Sequence, residues 1–490
     1  MLYIRKITQS RAFKFAFVTF SLLATLLALL LYWILFVRVT NAGLTFENEL
    51  RIPPEMKVRV NEDGVKVFDL SVEHGKMEFL SGQIAETLGV NGNYLGPTIR
   101  ANRGDRVILN VSNYLKEDTT MHWHGMNVPA VMDGTPHQTI SPGKMWTAEY
   151  EITQESGTMW YHPHTHGKTA VQVYHGLAGL FILDDENSKR IDIPDTYGDD
   201  DIPLIIQDRL FNEDGSLNYE IRRNASYGDT ILVNGTYDPH VSLEARKIRF
   251  RILNGSNARI YWIGFDDERE FQQIATDGGF LDSPVDTTRV RIAPGERVEI
   301  VVDFSDGKDV ILKSFPEAGL LETYSSWSAA TTNGHFDLLE IRPQPASRNS
   351  HVIPKRLNRI ARLERGSADV ERTMAMGGMV INGKSMNMGR IDERIRLGDT
   401  EIWKIRNQTG RMHPFHVHLV QFLILDRNGR KPSAQESGWK DTVLVMPEER
   451  IDVIMKFDQH ADPDVPYMYH CHILEHEDNG MMGQFVVVDE

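Results

Sequence analysis

The chain has a single cysteine, Cys471, set between two histidines in His470-Cys471-His472, with His476 and Met481 close behind. A thiolate among imidazoles, with a thioether just downstream, is the donor set of a blue copper site, which accepts and passes single electrons. Three more histidine strings lie far away: His122-Trp123-His124, His162-Pro163-His164-Thr165-His166 and His413-Pro414-Phe415-His416-Val417-His418. One His-x-His pair alone says little. Pairs at 122/124, 162/164, 416/418 and 470/472, with none between residues 167 and 412, describe a metal cluster shared between the first and last parts of the chain.

Strands are the elements that can aim such pairs. Residues i and i+2 of a strand share a face, so His-x-His points two imidazoles at one spot. The same alternation turns His470 and His472 towards the cluster and Cys471 away from it. His413 and His476 can then approach the sulfur, with Met481 as a weak axial ligand. One residue would join two metal sites through a few covalent bonds, a short path for electrons.

The chain carries a threefold echo of strand-forming segments. Val107–Asn113, Ile248–Asn254 and Ile402–Asn407 each follow an Asn-Gly turn (Asn91-Gly92, Asn234-Gly235, Asn382-Gly383) and precede a proline turn (Ser141-Pro142, Ala293-Pro294, Met446-Pro447). Short alternating strands separated by turn signals predict an all-β protein of three sandwich domains. The expected domains are 45–188, 200–343 and 373–490, the middle one a spacer without metal ligands. A linker at 344–372 includes Pro354 to Glu364, where Leu357, Ile360, Ala361 and Leu363 predict one face of a short basic helix. It is read as packing over the acidic body. The acidic stretch Asp184 to Asp201 is expected to be a solvated loop.

At 490 residues with 41% hydrophobic content, the chain can build several cores. A net charge of −15 disfavours nucleic acid as a partner and mildly favours cationic substrates. A single cysteine excludes an internal disulfide. Phe15 to Val37 is an uncharged, mostly apolar run preceded by Arg5, Lys6, Arg11 and Lys14. As a helix it would reach roughly 35 Å, enough to cross a bilayer. The basic residues place tail 1–14 in the cytoplasm and the body outside, on a single-pass anchor in the cell membrane at 15–37. The competing reading is a long, cleaved signal peptide.

The four strings resemble those of the multicopper oxidases, most nearly the bacterial laccase-like, copper efflux and bilirubin oxidase types, over residues from about 45 to the end. The resemblance implies three cupredoxin-like Greek-key β-sandwich domains and four copper ions. It implies a type 1 copper held by His413, Cys471, His476 and Met481, and a type 2 copper held by His122 and His416. It assigns a type 3 pair to His124, His162, His164, His418, His470 and His472. His166 lies outside the family's Trp-Tyr-His-Pro-His pattern and is left as a supporting residue. Glu477, next to His476, and Asp133, in Val131-Met132-Asp133-Gly134, are implied to assist proton delivery. The implied reaction couples four one-electron oxidations of phenols, aromatic amines or metal ions to reduction of dioxygen to water, by a monomer.

Some residues keep two readings. Asp441 either orients a histidine or serves structure, and Trp439 either gates electrons or packs. Met374, Met376, Met379, Met386 and Met388 supply soft donors suited to Cu(I), or form a pliable apolar lid. The long Met- and His-rich insert of copper efflux oxidases is missing, and Thr409 and Arg411 stand where those enzymes carry an acidic residue and a methionine. A cuprous or other metal-ion oxidase is therefore the alternative activity. The axial methionine argues for a modest type 1 potential and easily oxidised donors. Copper nitrite reductase lacks the eight-histidine array. A non-catalytic or copper-sequestering scaffold would be expected to have lost ligands, and none of these positions is missing.

Overall fold

The structure, a computed structural model, describes residues 15, 18–27, 40–41, 43–316 and 335–489. Residues Asn41–Glu490 form one compact unit, and the preceding segment is counted as a second. Within that segment residues 18–27 are helical. The rest of the expected span Phe15–Val37 lies largely outside the described residues. No helix among them is long and apolar enough to cross a membrane.

Alternation builds the strands. In Arg106–Asn113, Val107, Leu109 and Val111 are buried while Arg106 is exposed. Each buried aliphatic contributes about 1.5–3 kcal/mol relative to exposure, so slipping the register by one residue would cost several of these at once. Six sheets face one another in pairs over three apolar cores, giving a mostly β, cupredoxin-like architecture.

The echo in the sequence is an echo in topology. Arg106–Asn113 pairs parallel with Lys66–Leu80 and antiparallel with Met145–Glu151. Lys247–Asn254 stands in the same way between Asp201–Arg209 and Arg297–Asp303, and Thr400–Asn407 between Val370–Gly377 and Arg450–Lys456. The Asn-Gly turns repeat too. Asn91, Asn234 and Asn382 take φ of 52°, 51° and 52°, the left-handed region that asparagine tolerates. Each side-chain Oδ1 accepts from a strand N–H, of Ser71, Ile205 and Ala375 respectively.

The second sheet of each outer sandwich carries the histidines. In the first, His122–His124 pairs with Gly157–His162 so that His122 faces His162. In the third, His413–Val417 pairs with Asp462–Cys471 so that His416 faces His470. The equivalent middle pair, Tyr261–Phe265 with Val310–Ser314, sets Ile263 against Ser314 and offers no donor.

Two expectations need correction. The segment 354–364 makes no helix. Its apolar residues enter different cores, Leu357 beside Ile193 and Phe280, Ile360 beside Ile402 and Leu423, so no single face exists for a helix to present. Its backbone is held from outside instead, Leu357 N–H by Asp282 O at 2.9 Å and Ile360 N–H by Asp282 Oδ1 at 2.7 Å. The acidic stretch 184–201 is not wholly solvated either. Asp200 and Asp201 are buried, paired with Arg246 at 2.5 Å and Arg251 at 2.8 Å. Burying those carboxylates requires such partners.

Candidate metal centre

Two groups of buried donors meet at Cys471. The first is small. His413 Nδ1 lies 3.4 Å from Cys471 Sγ, and His476 Nδ1 lies 3.5 Å from it on the opposite side in sequence. The chain turns back through the short helix Leu474–Asp478 to bring His476 round. Met481 N–H donates to His476 O at 2.9 Å and Met481 O accepts from Cys471 N–H at 3.0 Å, which holds the buried thioether residue beside both. The remaining nitrogen of His413, Nε2, meets Thr409 Oγ1 at 2.9 Å. Burial pushes the Cys471 thiol well up and the His413 imidazole down to about 3. Two neutral imidazoles converging on a buried sulfur suit a soft metal ion, whose charge would favour the thiolate that burial alone opposes.

The second group has eight histidines: His122, His124, His162, His164, His416, His418, His470 and His472, each at most 1% exposed. Rings from the two outer sandwiches stack in pairs, His122 on His418 with centroids 3.9 Å apart and His124 on His416 at 3.8 Å. His164 Nε2 and His418 Nε2 lie 3.2 Å and 3.3 Å from His470 Nε2. Cys471 faces the small group while its neighbours His470 and His472 face this one.

Each ring is steered by what its outer nitrogen meets. Nδ1 of His122, His162 and His416 is 2.8 Å from the carbonyl oxygens of Asp133, Pro163 and Asp441 respectively. His418 Nδ1 meets Asp133 Oδ2 at 2.7 Å. Glu477 reaches two rings, with Oε1 and Oε2 each 3.2 Å from Nδ1 of His164 and His470. An Nδ1–H spent outwards leaves the Nε2 lone pair pointing in. His124 is reversed: its Nε2 meets Asp441 Oδ1 at 3.0 Å, and Nδ1 turns inward, 3.4 Å from His162 Nε2.

Lone pairs so close would repel unless protons or a cation sat between them. Protons are disfavoured. Burial first, then neighbouring imidazoles, hold His124, His164, His416, His418 and His472 well below the usual range, and His470 at about 3. Nε2 of His122, His416 and His472 are buried without a hydrogen-bond partner. The donor set therefore fits metal ions, with close groupings at His122/His124/His162, His122/His416/His418, His164/His418/His470 and His413/Cys471/His476. Burial pushes the carboxyl of Asp133 up and that of Glu477 well above the ordinary range. Burial also works to raise Asp441, but the Arg297 guanidinium overrides it and the net direction is down.

Other singled-out residues sort plainly. His166 is exposed, outside the cluster. Asp441 reaches a cluster histidine. Trp439 is half-buried and packs with Ile360 and Leu423. Met374 and Met376 are fully buried in the third core beside Trp403, which removes them as Cu(I) donors at a surface. Met386 is half-buried, its N–H donating to Gly480 O beside Met481. Arg297 and Gly295, both against the cluster, had no sequence signal beyond a proline turn.

Fold and site together define a copper protein in which one cysteine joins a sulfur-bearing site to a histidine cluster. Three family models described as multicopper oxidase match residues 71–188, 184–311 and 354–490. The chain belongs to the multicopper oxidase family, whose members bind copper and oxidise reducing substrates with dioxygen. It is 37% identical over 451 residues to the multicopper oxidase mco of Staphylococcus aureus, covering 90% of this chain and 93% of that protein. It is 35% identical to the cell division protein FtsP of Escherichia coli, covering 90% and 93%. A solved laccase-like multi-copper oxidase, CueO of Ochrobactrum sp., with oxidase activity towards lignin model compounds and lignosulfonate, is 35% identical. It superposes with a TM-score of 0.81 over 89% of this chain and 100% of that one.

Proposed function

We propose that this chain is a laccase-like oxidase of four coppers. His413, Cys471, His476 and Met481 would hold type 1 copper, and His122 and His416 type 2. His124, His162 and His472 would serve one type 3 ion, and His164, His418 and His470 the other. When bound, these coppers would take electrons singly from a donor and supply four of them to dioxygen. The observation that carries the reading is the convergence of two buried donor groups on either side of Cys471, with the complete set of ligand types at both.

The chain's own residues do the rest. The peptide links from Cys471 to His470 and His472 join the two groups without a through-space gap. Asp133 bonds Nδ1 of His418, and Glu477 lies 3.2 Å from Nδ1 of both His164 and His470. Their carboxyls hold protons readily in this buried setting, and so stand ready to deliver them to the cluster. Thr409 accepts from His413 and sets that ring's tautomer. A cleft of about 480 Å³ lined by Gln154, Leu419, Gln421 and Trp439 lies beside the cluster, where Gln421 Nε2 donates to Asp441 Oδ2 at 3.1 Å. It offers small molecules an approach. The donors are phenols, aromatic amines or low-valent metal ions. The working site lies on the outer face of the cytoplasmic membrane, with 15–37 as its anchor.

The test is a donor screen on copper-loaded protein with a syringol, bilirubin, Cu(I), Fe(II) and Mn(II), reading oxygen consumption. Cys471→Ser should abolish both the blue colour and turnover. Parental oxidation rates in that variant would refute the electron route. The similarity to FtsP favours one second reading, a scaffold with no turnover on any donor.

A further inference from the structure

The middle sandwich carries none of the donors, yet its proline turn lies against the cluster. We propose that this turn, residues 293–297, is a positioning device for one half of the histidine cluster, acting on His124 through Arg297 and on His472 through Gly295. The inference rests on the copper reading above.

Arg297 begins the strand Arg297–Asp303 and is fully buried. Its guanidinium grips Asp441 with two bonds, Nη1 to Oδ1 at 2.8 Å and Nη2 to Oδ2 at 2.5 Å. Nε donates to Thr158 O of the first sandwich at 2.9 Å, Nη1 to Gly295 O at 2.9 Å, and Nη2 to Asp277 O at 3.1 Å. One side chain thus ties all three sandwiches. A bidentate Arg–carboxylate pair fixes orientation as well as charge. Asp441, so fixed, meets His124 Nε2 at 3.0 Å. His124 is the ring whose tautomer is reversed, and this carboxylate is the nearer of two partners of its Nε2, the other being Thr442 Oγ1 at 3.3 Å. Gly125, at φ +85°, leaves room for the grip: a Cβ there would fall 2.7 Å from both Arg297 Nη2 and Asp441 Oδ2.

Gly295 acts by contact. At φ +81°, a Cβ on it would lie 2.7–2.9 Å from Cδ2, Nε2 and Cε1 of His472. The turn's backbone therefore lies flat on that ring. Among the described residues neither ring nitrogen of His472 bonds another residue, so packing sets its orientation. His124 and His472 are neighbours, with ring centroids 5.0 Å apart. Both lie on the side of the cluster assigned to one type 3 ion. On the other side the groups nearest the rings come from the outer sandwiches: Asp133 bonds His418 Nδ1, Cys471 O meets His470 Nδ1 at 3.1 Å, and Glu477 lies 3.2 Å from Nδ1 of His164 and His470.

The experiment compares full-length parent with Gly295→Ala, Arg297→Lys and Arg251→Lys. Arg297→Lys keeps a cation beside Asp441 but loses the fork. Arg251 is a matched control: it is buried in the same sandwich and bonds Asp201 and Thr158 without reaching the cluster. Each protein is loaded with copper. Blue absorption, paramagnetic copper by EPR, and copper retained per chain against a graded chelator are then measured. Disturbing a partner that orients a ligand weakens metal binding by about 10- to 100-fold. We expect that loss at the cluster for Gly295→Ala and Arg297→Lys, together with new EPR-visible copper from a broken coupled pair and unchanged blue absorption per chain. Arg251→Lys should keep parental cluster copper. Parental retention in both turn variants, or a loss shared in equal proportion by blue copper and by Arg251→Lys, overturns the inference. A parent that binds no copper refutes the function itself instead. Thermal melting of the copper-free variants separates unfolding from selective loss, and a turn variant that folds normally and still keeps its cluster copper counts against the inference.

Discussion

Glu475 is a carboxyl buried between the third sandwich and the middle one, one residue before the ligand-type His476. Its Oε1 accepts from Asn257 Nδ2 at 2.7 Å and from the Tyr219 hydroxyl at 3.2 Å. Burial raises its pKa from 4.5 to about 7, with the bond from Asn257 working against the rise. In the unfolded chain the ordinary value returns. A folded pKa above the unfolded one means the native state holds the proton more tightly. The associated stability is complete below about pH 4.5 and is lost as pH rises through about 7. Between pH 5 and pH 8 the loss integrates to about 2.5 kcal/mol at 1.36 kcal/mol per pKa unit. Glu475→Gln keeps an acceptor for Asn257 and Tyr219 but cannot ionise. Relative to the parent, the variant should therefore gain about 2.5 kcal/mol on going from pH 5 to pH 8. The assay is urea unfolding of copper-free parent and variant at both pH values. A gap between the two proteins that stays constant across that range would refute the argument. Copper loading should shrink the effect, because nearby positive charge favours the ionised carboxylate.

Asp133→Asn places an amide N–H or a neutral acceptor against His418 Nδ1, which now meets Oδ2 at 2.7 Å. Cluster copper should bind about 10- to 100-fold more weakly by chelator competition, while blue absorption persists. Thr409→Val removes the acceptor from His413 Nε2, makes the ring a poorer electron donor, and should raise the type 1 reduction potential measured by redox titration. Arg251→Met takes one of two buried arginines from Asp201 and Glu299 and leaves them to share Arg249 alone. With Arg249 still in place, the cost in unfolding free energy should stay below the roughly 3–5 kcal/mol of a fully unpaired buried charge, read as a drop in the denaturant midpoint.

The architecture was legible wherever a pattern repeated. Asn-Gly turns, alternating strands and His-x-His pairs each encode local geometry, and the three copies reinforce one another. Cys471 between two histidines could be resolved from alternation alone. What stayed hidden depended on contacts between distant segments. Residues 354–364 have a helical spacing of apolar residues, yet those residues fill two separate cores, and Asp282 takes the backbone N–H groups. Asp200 and Asp201 looked like part of a solvated acidic run because their arginine partners lie some 50 residues on. Asp441 was ambiguous because its partner, His124, is 317 residues away. Arg297 and Gly295 carried no sign at all, because an arginine and a glycine in a proline turn fit almost any hairpin.

The donors come from the two ends of the folded body, and His164 and His470, whose nitrogens nearly touch, are separated by 306 residues. Closing so long a loop costs chain entropy that only the finished body can offset. During synthesis the first half of the array exists long before its counterpart. On the proposed reading, copper capture at the shared histidine cluster would therefore wait until the final strand and its trailing turn have emerged. A nascent or C-terminally clipped polypeptide would hold half a cage, open to water and unable to retain a cargo.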